Sequence, residues 1–286
     1  MLVIIGYFVV VASVLGGFAM HGGHLLALFQ PFELVIIGVG AIGAFVVGNN
    51  TKTLRATARS LPPLLHTSKY TRERYMSLMA LLYDILTKIR REGMMSIEND
   101  LESPGESAVF GRYPEVAGDH HLVEFITDYL RLMVSGNLNP MEIETLMDHE
   151  IDTHHAEGDV PAQAIQKMAD GLPAFGIVAA VMGVVNVMGS VGEAPAVLGA
   201  KIGAALVGTF VGILLAYGFV GPLSGLIQQK LEETTKELQC VKVTLLACLQ
   251  GYAPQVAMEF GRKVLFSTER PTFGELESHV KQKRTA

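Results

Sequence analysis

Residues 202–229 read IGAALVGTFVGILLAYGFVGPLSGLIQQ, and this stretch contains no Asp, Glu, Lys or Arg. Three further stretches share that property: residues 2–32, 34–51 and 171–192. A helix needs about 20 apolar residues to cross a hydrocarbon core of about 30 Å, because backbone groups in lipid must be hydrogen-bonded internally. The sequence therefore predicts an all-α membrane protein with four transmembrane helices in two hairpins and a large helical cytoplasmic domain.

The predicted spans cover Leu2–Met20 and residues 34–48, 172–189 and 202–227. No strand signal of any length is present, and the charged segments show helical spacing of apolar residues. This spacing predicts buried helix faces in residues 70–91 (Leu78, Leu81, Leu82, Ile85 and Ile89) and in residues 230–250 (Leu231, Leu238, Val241 and Leu245). We predict four regions: a transmembrane hairpin over 1–50, a cytoplasmic helical domain over 51–170, a second transmembrane hairpin over 171–228, and a cytoplasmic C-terminal helix and tail over 229–286.

The placement of Lys and Arg predicts the orientation of the chain, because these residues collect on the cytoplasmic side of short loops. The connector over residues 21–33 has none, and the connector over 190–201 has only Lys201. Basic residues instead follow the second and fourth spans: Lys52, Arg55, Arg59, Lys230 and Lys236. We therefore predict a multi-pass membrane protein with both termini and the large loop in the cytoplasm.

The large loop changes sign along its length. Residues 52–91 contain nine Lys or Arg and two acidic residues, whereas residues 92–170 contain three Lys or Arg and seventeen acidic residues. The basic part lies beside a span and lacks the interleaved aromatic residues that stack on bases. We expect no nucleic-acid partner.

The motifs that would indicate an enzyme or a bound cofactor are weak. Residues 38–43, GVGAIG, match the glycine fingerprint of dinucleotide-binding turns, but that motif needs a preceding strand and a later acidic residue. Here it lies inside a span, which predicts a helix-packing face. The His- and acid-rich run over 149–159 lacks two His at i and i+4, and we interpret it as a solvated acidic stretch. We therefore predict no catalytic site, metal site or cofactor, and no enzyme activity.

Small residues recur at helical spacing in the last two spans: Ala204, Gly208, Gly212 and Ala216 in the fourth, and Gly176/Ala180 and Ala179/Gly183 in the third. Such stripes let helix backbones approach closely in lipid. Two interpretations remain open. The stripes pack the last hairpin internally, or they serve a close-packed ring of subunits or a partner helix.

Two prolines and one threonine are further candidates. Pro173 follows Asp170 and Gly171, a pattern that predicts a helix start. Pro222 lies inside an apolar helix, where it removes the bond to the carbonyl of Gly218 and predicts a kink, either static or a hinge. Thr209 lies beside the stripe, and its hydroxyl either bonds back to its own helix or faces a hydrated pore.

Residues 205–214, ALVGTFVGIL, followed by Pro222 after seven residues, resemble the signature of the MotA family of flagellar motor stator subunits. Residues 172–178, LPAFGIV, are similar to the third span of that family, and residues 30–38, QPFELVIIG, to its N-terminal hairpin. The resemblance covers nearly the whole chain and includes the wider MotA/TolQ/ExbB proton-channel family.

The resemblance implies a bacterial inner-membrane stator subunit for flagellar motility and chemotaxis. Five copies would surround two copies of a MotB-like, single-span subunit anchored to peptidoglycan, with lipid outside the ring. A membrane aspartate of that partner would carry the ion. The positions matching Pro173 and Pro222 would couple the ion step to movement, and those matching Arg90 and Glu98 would engage a FliG-like rotor protein.

The resemblance also suggests which ion is transported. Sodium-type relatives carry Thr where this chain has Ala180, while Thr209 is common to both types. With one hydroxyl fewer to replace the hydration shell of sodium, a proton is expected. The expected function is therefore a proton channel, formed with the partner, that generates torque. The alternatives are an ExbB/TolQ-like energy-coupling channel subunit and a non-motor membrane scaffold.

Overall fold

The computed structural model describes residues 2–136 and 139–285. All regular secondary structure within these residues is helical, and no strand is present among them. Four helical segments are long and apolar enough to cross a membrane. The predicted fold class, an all-α membrane protein with four spans, is confirmed.

Twelve α-helices lie in the described part of the chain, joined by short turns. Their bounds in chain order are α1 Leu2–Met20, α2 Pro31–Val47, α3 Thr51–Ser60, α4 Arg72–Glu92, α5 Glu98–Glu102, α6 Pro114–Ala117, α7 His120–Ser135, α8 Pro140–Met188, α9 Pro195–Ile213, α10 Gly221–Leu249, α11 Pro254–Val264 and α12 Phe273–Thr285. Short 3₁₀ turns occupy Leu25–Leu28, Pro62–Leu65, Met94–Ile97 and Phe110–Arg112, and a π-helical segment, Leu214–Val220, joins α9 to α10.

The chain divides into two compact units. Unit 1 comprises Met1–Thr67 and Gly158–Gln229, and unit 2 comprises Ser68–Glu157 and Lys230–Ala286. Each of the two longest helical stretches, α8 and α9–α10, therefore contributes residues to both units.

Unit 1 contains the apolar segments. The first span, Leu2–Met20, has the predicted bounds. The second covers Leu25–Val47 and begins earlier than predicted, because the 3₁₀ turn at Leu25–Leu28 leads into α2. The third and fourth lie within Pro140–Met188 and Pro195–Leu249, so both helices extend well beyond the hydrophobic stretches.

The prediction that a helix starts at Pro173 is wrong. Pro173 and Pro161 both lie inside α8, which runs without interruption from Pro140 to Met188. The helix start is instead specified at Asn139. The side chains of Asn139 and Glu142 each accept from the backbone amide of the other, at 3.0 and 2.8 Å, and Pro140 occupies the first turn. This capping box fixes the N-terminus, and the remaining helical bonds and packing compensate for the amides that the two internal prolines lack.

Unit 2 has a core built around α4. The apolar residues of α4 that were predicted from their spacing are buried: Leu78, Leu81, Leu82, Ile85 and Ile89. They pack with Phe110 and Phe125, and with the buried face of α10, which includes Leu238, Val241 and Leu245. The amphipathic periodicity of both helices therefore predicted the correct core faces.

A buried ion pair crosses this core. Arg74 of α4 and Glu237 of α10 have side chains only 7% and 2% exposed, and the Arg74 Nε donates to the Glu237 carboxylate at 2.6 Å. The guanidinium also donates to the carboxylate of Asp119 at 2.7 Å and to the carbonyl of Glu115 at 2.8 Å. Burial raises the pKa of the Glu237 carboxyl, and the positive charge of Arg74 opposes that rise. The pair is stable because its desolvated charges are bonded on both sides.

Replacing Arg74 by alanine leaves the Glu237 carboxylate buried without its partner. We expect Arg74→Ala to lower the free energy of unfolding by about 3–5 kcal/mol. Chemical denaturation of the full chain in detergent, followed by circular dichroism, measures this loss. The matched control is Arg72→Ala, two residues away, whose pair with Glu275 is exposed and is expected to contribute much less, because water screens it. Equal losses for the two variants would show that the Arg74 pair is not a special contact of the core.

Candidate functional site

The third and fourth spans cross with their backbones in contact. A Cβ atom on Gly176 of α8 would lie 2.8 Å from the carbonyl oxygen of Gly208 and 3.1 Å from the Cα of Gly212, both in α9. A Cβ on Gly212 would in turn lie 2.8 Å from the carbonyl oxygen of Leu172. Only glycine permits this approach, which maximises van der Waals contact where lipid provides no hydrophobic drive. We call this contact the α8–α9 crossing.

The crossing decides between the two interpretations of the small-residue stripes. Gly183 packs on Ala205, whose Cβ lies 2.7 Å from where a Cβ of Gly183 would be, and Gly208 packs on Ala179. The stripes therefore pack the last hairpin internally. Gly208, Gly212 and Ala216 are buried as predicted, whereas Ala205, 1% exposed, and not Ala204, makes the contact with Gly183.

Two of the predicted coupling residues flank the crossing. The Cα of Thr209 lies 3.4 Å from the position that a Cβ on Gly176 would take. The amide nitrogen of Ala180 lies 3.2 Å from the position that a Cβ on Gly208 would take. Pro173 directly follows Leu172, whose carbonyl contacts Gly212, so Pro173 lies about one turn before the crossing. The structure therefore brings Ala180, Thr209 and Pro173 to one helix contact. Thr209 is half-buried.

Pro222 lies away from the crossing, just after the π-helical segment. The amide of Gly221 donates to the carbonyl of Ala216, five residues back, instead of the usual four. Pro222 follows with no amide to donate. The kink at Pro222 stays a prediction. The helix just before it is π-helical over seven residues, Leu214–Val220, a feature often found at functional sites. The Pro222 ring is exposed.

One glycine of the motif in the second span, Gly40, lies on a packing face, whereas a Cβ on Gly38 or Gly43 would meet no atom within 4 Å. A Cβ on Gly40 would lie 2.9 Å from the ring of Phe175 in α8, and Ile37 and Ala41 on the same helix are buried. The absence of a side chain at Gly40 makes room for that ring. Gly40 therefore serves helix packing, as expected from its position inside a span.

Arg90 and Glu98 lie in unit 2, on two sides of a sharp corner. Arg90 is in the last turn of α4 and Glu98 begins α5. The corner forms at Gly93, whose φ of +88° is readily adopted only by glycine, and continues through the 3₁₀ turn Met94–Ile97. Both charged side chains are exposed. The charges at these two positions thus lie on either side of the same corner of the chain.

The two charges are free to engage another molecule. Among the residues that the structure describes, neither Arg90 nor Glu98 forms an ion pair, whereas nearby Asp100 is bound by Lys88 at 2.7 Å and by Ser107 at 2.6 Å. Burial raises the pKa of the Cys248 thiol, and the charge of Arg90 opposes that rise. Arg90 therefore lies near the C-terminal end of α10.

Sequence reasoning missed the polar contact that joins the first span to the fourth. The hydroxyl of Tyr7 in α1 donates to the carbonyl of Phe219 in the π-helical segment at 2.9 Å. The signal was a lone phenol in an otherwise apolar span, but a contact between residues 212 positions apart has no local pattern.

The close backbone contact predicts a strong penalty for added volume at the crossing. We expect Gly212→Ala to destabilise the chain by about 1–3 kcal/mol, because the new methyl group meets backbone atoms that cannot move aside. Thermal unfolding of the full chain in lipid nanodiscs measures the loss. The control is Gly203→Ala, also in α9, where a Cβ meets no atom within 4 Å. Loss of stability in Gly203→Ala alone, or in both variants equally, would contradict a tight crossing.

Comparison with known families gives two matches. The Motility protein A N-terminal family model matches residues 4–93. The MotA/TolQ/ExbB proton channel family model matches residues 118–240. Together the two matches include all of the candidate coupling and rotor-contact residues except Glu98.

Individual proteins match over nearly their full length. Motility protein A of Salmonella typhimurium is 56% identical over 284 residues, covering 99% of this chain and 96% of the relative. Motility protein A of Escherichia coli K12 is 56% identical over 281 residues, covering 98% and 95%. Chemotaxis protein LafT of Vibrio parahaemolyticus is 36% identical over 273 residues, covering 96% of each.

Two solved structures share the fold. The MotAB structure from C. jejuni aligns with a TM-score of 0.77 at 18% identity, covering 93% of this chain and 95% of that chain. The flagellar MotAB stator complex from Bacillus subtilis aligns with a TM-score of 0.73 at 23% identity, covering 90% and 92%. With the sequence matches, these findings show that the chain belongs to the Motility protein A family, within the MotA/TolQ/ExbB proton channel family.

Proposed function

We propose that the chain is the stator subunit that converts ion-motive force into torque on the flagellar rotor. Together with a MotB-like, single-span subunit it forms a proton channel. The observation that carries this proposal is the contrast between its two units. The spans at the α8–α9 crossing contain no Asp or Glu over residues 171–192 and 202–229, whereas the corner of unit 2 presents the unpaired charges Arg90 and Glu98.

Family membership and four candidate spans identify the chain as an inner-membrane protein of a channel and stator family rather than an enzyme family. We propose that both termini and the large loop face the cytoplasm, because Lys and Arg follow the second and fourth spans and are nearly absent from the short connectors. The second connector has a single basic residue, Lys201, which is paired with Glu193 at 2.8 Å.

The ion carrier is proposed to belong to the partner. A charged group in the middle of a span is costly, so the few that occur there usually mark ion paths. Since the last two spans lack one, an aspartate of the MotB-like partner would carry the proton beside Thr209, Ala180 and Pro173. The proton is favoured over sodium because position 180, which lies against Gly208 next to Thr209, holds alanine and adds no oxygen ligand.

The assembly is proposed to be a ring of five copies around two partner chains, enclosed by lipid. Exposed apolar residues on every span support this arrangement, since faces of this kind need either lipid or another helix as neighbours. The glycine stripe packs the last two spans of one chain against each other, so contacts between copies would use other faces of these helices.

The rotor contact is proposed to be electrostatic. Arg90 and Glu98 present opposite charges on one corner, which would meet complementary charges of a FliG-like rotor protein. The alternatives are an ExbB/TolQ-like energy coupler and a membrane scaffold. The match of residues 4–93 to the Motility protein A N-terminal family favours the stator, because that region includes the first hairpin and Arg90.

Expression of the chain in a strain that lacks its own copy tests the proposal. We expect the wild-type chain to restore swimming. Neutralising Arg90 or Glu98 should slow swimming without abolishing it, because exposed charges are screened by salt. Reversal, Arg90→Glu with Glu98→Lys, should slow it further, and tracking single cells measures the speed.

The control for charge reversal is Arg91→Glu, which changes an exposed neighbour of Arg90 by the same charge. We expect a smaller effect than for Arg90→Glu. Normal swimming after reversal of both Arg90 and Glu98 would refute their assignment to the rotor contact. Failure of the wild-type chain to restore swimming, with normal membrane levels, would favour the energy-coupling or scaffold alternatives.

A further inference from the structure

The first span contacts the π-helical segment of the fourth span through a specific hydrogen bond. The hydroxyl of Tyr7 donates to the carbonyl of Phe219 at 2.9 Å, and the two rings lie 5.0 Å apart. Tyrosines in spans are common as interfacial anchors, whose hydroxyls point to lipid headgroups. The hydroxyl of Tyr7 instead bonds the backbone of another span.

The bonded carbonyl lies where the helical hydrogen-bond ladder is interrupted. The amide of Gly221 bonds the carbonyl of Ala216, five residues back. The next residue, Pro222, offers no amide, so this turn is one backbone donor short, at the carbonyl of Gly218 beside that of Phe219. In lipid no water can make up the difference, and a side chain that donates here is especially valuable. Tyr7 is such a donor.

The same contact brings the two backbones close together beside a space. A Cβ on Gly218 would lie 3.1 Å from the Cγ1 of Val10, so glycine at 218 lets α1 approach the π-helical segment. A cleft of about 330 Å³ lies next to this contact, with Gly6 of α1 and Pro222 in its lining. The segment around Pro222 therefore has a bonded neighbour, Tyr7, and borders a cleft.

We propose that Tyr7 is a positioning residue for the proline hinge of the fourth span, a role that rests on the proposed coupling function of Pro222. Its hydroxyl supplies a hydrogen bond to the interrupted turn and holds the π-helical form. When the partner's ion step shifts the fourth span, this bond breaks and the segment around Pro222 moves toward the cleft. Reformation of the bond resets the hinge.

The variant Tyr7→Phe removes the hydroxyl and keeps the ring contact with Phe219. We expect roughly two- to tenfold faster hydrogen–deuterium exchange in residues 214–226 of the full chain in nanodiscs, the equivalent of one lost hydrogen bond. We also expect slower rotation of tethered beads at low load, where ion-coupled steps limit the speed. Tyr217→Phe is the matched control. It removes the same hydroxyl group from a tyrosine of the π-helical segment itself, whose side chain is 67% exposed.

The proposal fails if Tyr7→Phe and Tyr217→Phe show the same exchange, or if exchange rises while rotation stays at the wild-type rate. A failure of the stator function itself is distinguishable, because the wild-type chain would then not rotate beads at all, while the exchange comparison would still test the bond.

If Tyr7→Phe does not accumulate in the membrane, Gly218→Ala, which crowds Val10, should show the same two effects relative to Gly203→Ala. Unchanged exchange and rotation in Gly218→Ala would then overturn the proposal.

Discussion

The α8–α9 crossing is the contact on which the rest of unit 1 depends. Apolar side chains gain little from leaving lipid for one another, so helices associate in a membrane mainly through close van der Waals contact. Gly176, Gly208 and Gly212 make that contact possible because they bring backbone against backbone. Thr209, Ala180 and Pro173 acquire their positions from it. A larger residue in the stripe would displace all three together.

The fourth span combines this rigid contact with a weak point a few residues later. Gly212 packs closely against the carbonyl of Leu172. From Leu214 to Val220, shortly before Pro222, the helix is π-helical. In the proposed mechanism the crossing holds the ion-coupling residues in place, and the turn at Pro222 yields. The buried hydroxyl of Ser224, which donates to the carbonyl of Ala162 at 2.9 Å, secures α10 to α8 beyond that turn. Movement would then be concentrated in a short segment.

The sequence predicted the fold where the physical signal is local. Charge-free stretches identified the spans, and periodicity identified the buried face of α4, including Leu78 and Leu82, because both signals are read within a few turns of helix. Pro173 was misassigned because proline favours a first turn without requiring one, and the capping box at Asn139 decided the start. The Arg74–Glu237 pair was not predictable, since its members are 163 residues apart and each resembles an ordinary surface charge. The proposed sites Arg90 and Glu98 rest on family resemblance, and the structure adds their exposure and their common corner.

The central claim is that the chain supplies the moving helices while its partner supplies the ion-carrying carboxylate. Proton flux into liposomes tests it most directly, using the full chain alone, with a MotB-like partner, and with that partner's membrane aspartate changed to asparagine. The account predicts flux only in the second case, since residues 171–192 and 202–229 contain no acidic group. Flux through the chain alone, or with the asparagine partner, would contradict it.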